Sequence, residues 1–276
     1  MKLPVPYRVD RMIIGADSGR LKGMALADAS KARDNGEPWL AMHILASGGV
    51  SALVDEAGGR EEDRGQIKTL LLEGPYVNTE YLSLMALASI GADDPIDMIC
   101  TCPVCKTKTT QQSPRLRDLP LVVSELEEET GPVPVVPEPL VKLEYPIEIV
   151  SKSTRERTEV TLLSASEILF EIPTLRSLIA AQKRVGLNDT TRLQYFAWAQ
   201  SIREVDGEPV DDKWRLQWWD KLFERMDLAD VRTIAKALTD YGLDNRMEVV
   251  CAQCGKKYHA VVPTQDFFAS GLQGAQ

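Results

Sequence analysis

The strongest constraint on this chain is a pair of knuckles, "CPVC" at Cys102 and Cys105 and "CAQC" at Cys251 and Cys254, set far apart in the sequence. A C-x-x-C turn brings two thiolates to one metal ion, but a structural zinc takes four ligands in a tetrahedron. Neither knuckle closes such a site alone, and the 276 residues include only two histidines. Together, Cys102, Cys105, Cys251 and Cys254 make up the full set. Their flanks also match: "MICTCPVCKTK" and "MEVVCAQCGKK" each place a methionine four residues before the first cysteine and lysines after the second. A strand entering and a strand leaving each turn would make a zinc-ribbon-like module from two distant segments. Four thiolates leave no open coordination position, so the expected zinc is structural, and its binding free energy becomes folding free energy for the junction.

Two other chemistries compete for such cysteines. A redox C-x-x-C opens a helix after a strand, whereas the residues after these knuckles favour strands. Disulfides need an oxidising compartment. The N-terminus "MKLPVPYRVDRMIIG" has neither the apolar core nor the cleavage site of a secretory signal, so the expected place of synthesis is the cytoplasm. The fifth cysteine, Cys100, aligns with Val249 and reads as a small buried hydrophobe; in a slipped register it would replace Cys102 as a ligand. His259, beside the second knuckle, is a possible extra or substitute ligand.

The remaining sequence reads as α+β: mainly helical, with short antiparallel hairpins. Residues 1–95 form an N-terminal arm and helical region, with helices expected from Leu21 to Arg33, closed by Asn35-Gly36, from Pro38 to Gly48-Gly49, around Ile67, Leu70 and Leu71, and from a cap at Asn78 or Thr79 to Gly91. Segments 96–125 and 246–268 make the zinc-ribbon-like module. An acidic and proline-rich linker spans 126–144, open as well to reading as an acidic docking motif. A β-hairpin follows over 145–163, with Ile147 and Ile149 answering Val160 and Leu162. A helical domain covers 164–245. "SASE" is expected to open it with Ser164 capping and Glu167 reaching back, Pro173 to sit in a first turn, and Gly186 to end that helix. A turn follows at Asp206-Gly207, Asp227 caps the last helix, and Trp214, Trp218 and Leu222 share a core face. Residues 269–276 form a tail.

Composition limits function more than fold. The net charge of -9 opposes a nucleic-acid binder, because phosphate attraction needs a basic surface. No apolar run is long enough to span a bilayer. No phosphate-cradling glycine loop, nucleophile elbow or H-E-x-x-H occurs. His43, in "AMHIL", reads as a core histidine, and the pairs Asp93-Asp94 and Asp211-Asp212 as helix or loop caps. No catalytic residue is assigned, and the chain is not expected to be an enzyme.

The order of these segments resembles the base-plate protein family of contractile-tailed, T-even-type bacteriophages. The matching parts are "IKTLLLEGPYVNTEYLSLMALASIG" before a C-P-x-C knuckle, "RLRDLP" after it, the hairpin, "MDLADVRTIAKAL" with "YGLD", a second C-x-x-C-G and a closing "DFF". Met226, Asp227 and Asp230 carry the "MDxxD", and Phe267 and Phe268 the closing aromatics. The likeness runs from about residue 65 to the C-terminus and does not reach the first 60 or so. It implies a virion protein of the tail base-plate, assembled in the host cytoplasm, whose partners are other tail and base-plate subunits; the proline- and glycine-rich arms of the sequence fit a chain that wraps its neighbours. No membrane or direct nucleic-acid partner is implied. A base-plate hub assembly factor absent from the mature particle shares every feature named. A zinc-ribbon nucleic-acid-associated protein and a thiol oxidoreductase are the other classes.

Overall fold

The computed structural model describes residues 1–128, 131–152, 159–185 and 190–263. The chain divides into two units. The first comprises Met1–Leu71, Val77–Pro134 and the chain from Tyr241 onward; the second comprises Leu72–Tyr76 and Val135–Asp240. Among the described residues, no helix is long and apolar enough to cross a membrane.

The first unit opens with β1 (Lys2–Arg8) and β2 (Met12–Ser18), followed by α1 (Gly23–Asp34), α2 (Pro38–Gly49), β3 (Val50–Asp55) and β4 (Arg60–Glu61). The four strands form one antiparallel sheet in the order β1-β2-β3-β4. This sheet is missing from the sequence reading, which expected an arm and helices. The physical reason is visible in β1: Leu3 to Tyr7 are all buried, so the period of two that marks a half-buried strand is erased. Pro4 and Pro6 are tolerated because β1 lies at the sheet edge. The edge is closed from outside. The Asn78 amide donates to Val5 O (2.6 Å) and accepts from Val5 N (2.9 Å), while Ser124 N donates to Pro4 O (2.8 Å). Asn78 therefore works as a strand surrogate rather than as the helix cap expected of it.

Next come α3 (Arg64–Glu73) and α4 (Tyr76–Ser89). The helix ends follow the sequence signals closely. Gly36 adopts a positive φ of 76°. Glu37 N reaches Ala32 O, and Gly36 N reaches Arg33 O, the paired bonds of a Schellman ending. Gly91 (φ 80°) ends α4 the same way through Ala92 N to Leu87 O. Arg64 donates to the carbonyls of Ser47 and Val50, satisfying the C-terminal end of α2. One core gathers Leu3, Tyr7, Ile13, Leu53, Ile67, Leu71 and Leu82; a second gathers Leu21, Leu26, Leu45 and Leu87. His43 is buried on α2 with Nε2 3.0 Å from Lys68 O, and burial lowers its pKa.

After α4 the chain forms β5 (Asp97–Thr101), β6 (Lys108–Gln112), a single 3₁₀ turn over Leu116–Asp118, β7 (Leu121–Val122), β8 (Glu125–Glu128) and β9 (Gly131–Pro134). Asp93 is not a cap: its carboxylate takes a two-pronged bond from Arg117 (2.5 and 2.8 Å), which anchors the "RLRDLP" segment. The segment expected as a linker over 126–144 instead carries the antiparallel β8–β9 pair and the start of the next strand.

The second unit holds β10 (Leu140–Lys152), β11 (Glu159–Phe170), α5 (Leu175–Val185), α6 (Thr190–Gln200), β12 (Ile202–Val205), β13 (Glu208–Pro209), α7 (Asp212–Arg225) and α8 (Leu228–Thr239). Its sheet runs β10-β11-β12-β13, all antiparallel. The expected hairpin is present but longer, with Ile149 opposite Leu163. "SASE" lies inside β11, so Ser164 opens no helix. Leu163 and Ala165 are buried between exposed Ser164 and Ser166, a strand alternation that β10 and β12 pair on either side. Pro173 precedes α5, whose N-terminal Ser177 N bonds to Thr174 Oγ1 (3.1 Å); Gly186 lies outside the described residues.

Asp206 and Gly207 both take positive φ (51° and 81°), which makes the turn a tight β12–β13 hairpin. Asp211 and Asp227 cap α7 and α8, accepting from Trp214 N and Ala229 N. Trp218, Leu222 and Phe223 are buried, Trp214 half so, and Tyr195 stacks on Phe223 at 5.1 Å. The chain then returns to the first unit with β14 (Gly242–Leu243), paired to β7, and β15 (Arg246–Val250) and β16 (Lys257–Val261). Eight helices among the described residues alternate with several small antiparallel sheets: the class is α+β, and "mainly helical" overstates the helices.

Candidate metal centre

Each knuckle is the turn of a two-stranded hairpin, and both hairpins have the same register. In β5–β6, Met98 pairs with Gln111, Cys100 with Thr109 and Thr101 with Lys108. In β15–β16, Met247 pairs with Ala260, Val249 with Tyr258 and Val250 with Lys257. Adding 149 to every member of the first set gives the second, because Cys251 stands 149 positions after Cys102. The turns match as well. Cys102 N donates to Thr107 O and Lys106 N to Cys102 O; Cys251 N donates to Lys256 O and Gly255 N to Cys251 O. The residue after each second cysteine is left-handed, Lys106 at φ 59° and Gly255 at φ 70°.

That match yields a stability prediction. An L-residue in the left-handed region costs roughly 1–2 kcal/mol, partly offset by the greater freedom glycine loses on folding. A Cβ on Gly255 would meet nothing within 4 Å, so Gly255→Ala is a pure backbone test. Denaturant titration of the metal-loaded protein is expected to show Gly255→Ala losing about 1 kcal/mol and Lys106→Gly gaining about 0.5 kcal/mol. A loss on Lys106→Gly would mean that its side chain, not its backbone, governs the turn.

The two hairpins bring the four knuckle sulfurs together in the first unit. Cys102 Sγ lies 3.7 Å from Cys254 Sγ and Cys105 Sγ 3.5 Å from Cys251 Sγ, and all four sulfurs fall within 4.8 Å of one another. A disulfide would need about 2.05 Å, and the cysteines are free. A tetrahedral zinc with Zn–S near 2.3 Å sets its sulfurs about 3.8 Å apart, so the cage has the size of one such ion. Four soft thiolates and no carboxylate suit zinc or iron rather than magnesium or calcium.

The electrostatics show what the ion would relieve. The Thr107 hydroxyl and then its backbone N–H hold Cys105 down to about 6. The N–H groups of Cys105 and Val104 lower Cys102. At Cys254 the N–H of Lys256 favours the thiolate, but desolvation and the facing Cys105, Cys251 and Cys102 outweigh it and push the group up to about 12. Four sulfurs this close cannot all carry charge without a cation between them.

Beneath the cage, Met98, Cys100 and Val249 pack with Val262, Leu84, Leu116 and Leu119 into a third core. Cys100 and Val249 are equally buried, at 3% exposure each, so the fifth cysteine is a core hydrophobe outside the sulfur cluster, and burial raises its thiol pKa. His259 lies exposed on β16 opposite Glu248, also outside the cluster. Sequence reasoning missed Thr107 and Gln253. The Thr107 hydroxyl lies 3.3 Å from Cys105 Sγ and donates to Gln253 Oε1 of the other knuckle. No sequence signal points to that pair, because the equivalent positions of the repeat hold Lys256 and Val104. Phe267 and Phe268 lie outside the described residues. No family model, curated protein or solved structure matches this chain.

Proposed function

We propose that this chain is a structural subunit of a contractile phage tail base-plate, in which one structural zinc fastens two distant segments. The observation that carries the reading is the four-sulfur cage, built from knuckles 146 positions apart and without a fifth position for water or substrate. Such a site fixes the shape of a building block and needs no chemistry of its own. The order of segments from Ile67 to the second knuckle, with its likeness to base-plate proteins, supplies the setting; the acidic balance of -9 supports protein partners over nucleic acid.

The test is quantitative mass spectrometry of purified particles, with metal analysis of the recombinant chain beside it. A fixed ratio to other tail subunits and one zinc per chain are the expected results. Abundance in infected cells with absence from particles would make the chain an assembly factor. No association with particles at either stage, or salt-dependent binding to DNA or RNA, would overturn the base-plate reading. A stoichiometric iron would replace zinc without altering the architecture.

A further inference from the structure

The two knuckles are not fully equivalent, and the difference lies at Thr107. Its hydroxyl touches Cys105 Sγ on one side and Gln253 on the other, so one side chain bridges both halves of the cage. The internal repeat places Lys256 where Thr107 would have its counterpart, and Val104, 62% exposed, where Gln253 would. The bridge is therefore made once. It supports Cys105, which is half-buried, while Cys254 is exposed.

We propose that Thr107 is a positioning residue which, clamped by Gln253, fixes the Cys105 sulfur and locks the first knuckle to the second, thereby setting how long the site keeps its metal. The inference rests on reading the four thiols as a metal site. In the thiol form, the Cys105 S–H donates to the Thr107 oxygen and the hydroxyl donates to the Gln253 carbonyl. A metal-bound thiolate can only accept. The hydroxyl then turns to donate to sulfur, and the Gln253 amide turns its NH₂ towards the hydroxyl oxygen, so the chain of bonds persists with its direction reversed. Partners one step beyond the ligands orient them, and their removal typically costs 10–100-fold in metal affinity.

The test follows zinc transfer from the full-length protein to a chromogenic chelator. Thr107→Val is expected to release zinc about 10-fold faster, Thr107→Ser to stay near the parent rate because it keeps the hydroxyl, and Gln253→Ala to accelerate release as well. The double variant Thr107→Val, Gln253→Ala should be no faster than Thr107→Val alone, because the two side chains act as one unit. With cobalt in place of zinc, Thr107→Val should shift the thiolate-to-metal charge-transfer band while four sulfurs remain bound. Parent-like release from Thr107→Val, equal acceleration in the Ser variant, or additive effects in the double variant would each overturn the positioning role. A parent protein that takes up no stoichiometric metal would overturn the metal site itself.

Discussion

Replacing Cys251 by serine is expected to abolish stoichiometric metal binding and to melt the paired hairpins while the second unit stays folded. Structural zinc in zinc-finger peptides binds with about 10–16 kcal/mol at neutral pH, as much as the whole stability of an ordinary domain. The hairpins have little else to hold them. Each is only two strands wide, a form marginal in water by itself. The core beneath them is small and shared with α4 through Leu84. Hydrogen exchange separates the outcomes: amides of β5 and β15, with that of Cys102, should lose protection, whereas Leu222 and Ile234 in the second unit should keep theirs. Full protection of β15 in the serine variant would show that packing, not metal, holds the module. Loss of protection throughout would show that the second unit depends on it.

The second large effect is expected at Asp230, a buried carboxylate in the second unit. β10 and β11 lose register between Lys142 and Ile147, where Pro146 interrupts the ladder. Asp230, reaching over from α8, accepts Glu144 N (2.7 Å) and Tyr145 N (3.2 Å) at this break. Alanine there would leave two N–H groups without partners, at about 1–3 kcal/mol each, so urea melts followed by tryptophan fluorescence should lose roughly 2–6 kcal/mol. Asp230→Asn, which keeps one carbonyl acceptor, should fall between. A change under about 0.5 kcal/mol in the alanine variant, the range of ordinary surface substitutions, would refute this account. The aspartate of "MDxxD" thus stands as a structural clamp on a broken strand.

Local signals were legible wherever a single residue type decides the outcome. Gly36 and Gly91 ended their helices, Asp211 and Asp227 capped theirs, and Asp206-Gly207 made a turn, because positive φ and orphan N–H groups admit few solutions. The cysteine spacing likewise placed the four sulfurs, and the match of Cys100 to Val249 placed the fifth. Strands were misread where burial hides alternation, as in β1, or where a local capping pattern competes with long-range pairing, as at Ser164 in β11. The partners of Asn78 and Asp230 were out of reach for another reason. Val5 lies 73 positions from Asn78, and Glu144 86 from Asp230, so no local pattern announces either bond.

The separation of 146 positions between Cys105 and Cys251 also imposes a schedule. A ribosome adding about 5–20 residues per second needs roughly 7–30 s to travel from one knuckle to the other. Throughout that interval the first hairpin presents two thiols with no second pair to complete their coordination, while most of the second unit is synthesised and free to fold. Closure of the cage therefore waits for the second knuckle, and a chain halted before Cys251 carries an open half-site. In a crowded translating cell, that half-site is complementary to the second knuckle of any finished neighbour that has yet to bind metal. Until Cys254 has been made the cage cannot close within its own chain; afterwards the fold itself brings the four sulfurs together.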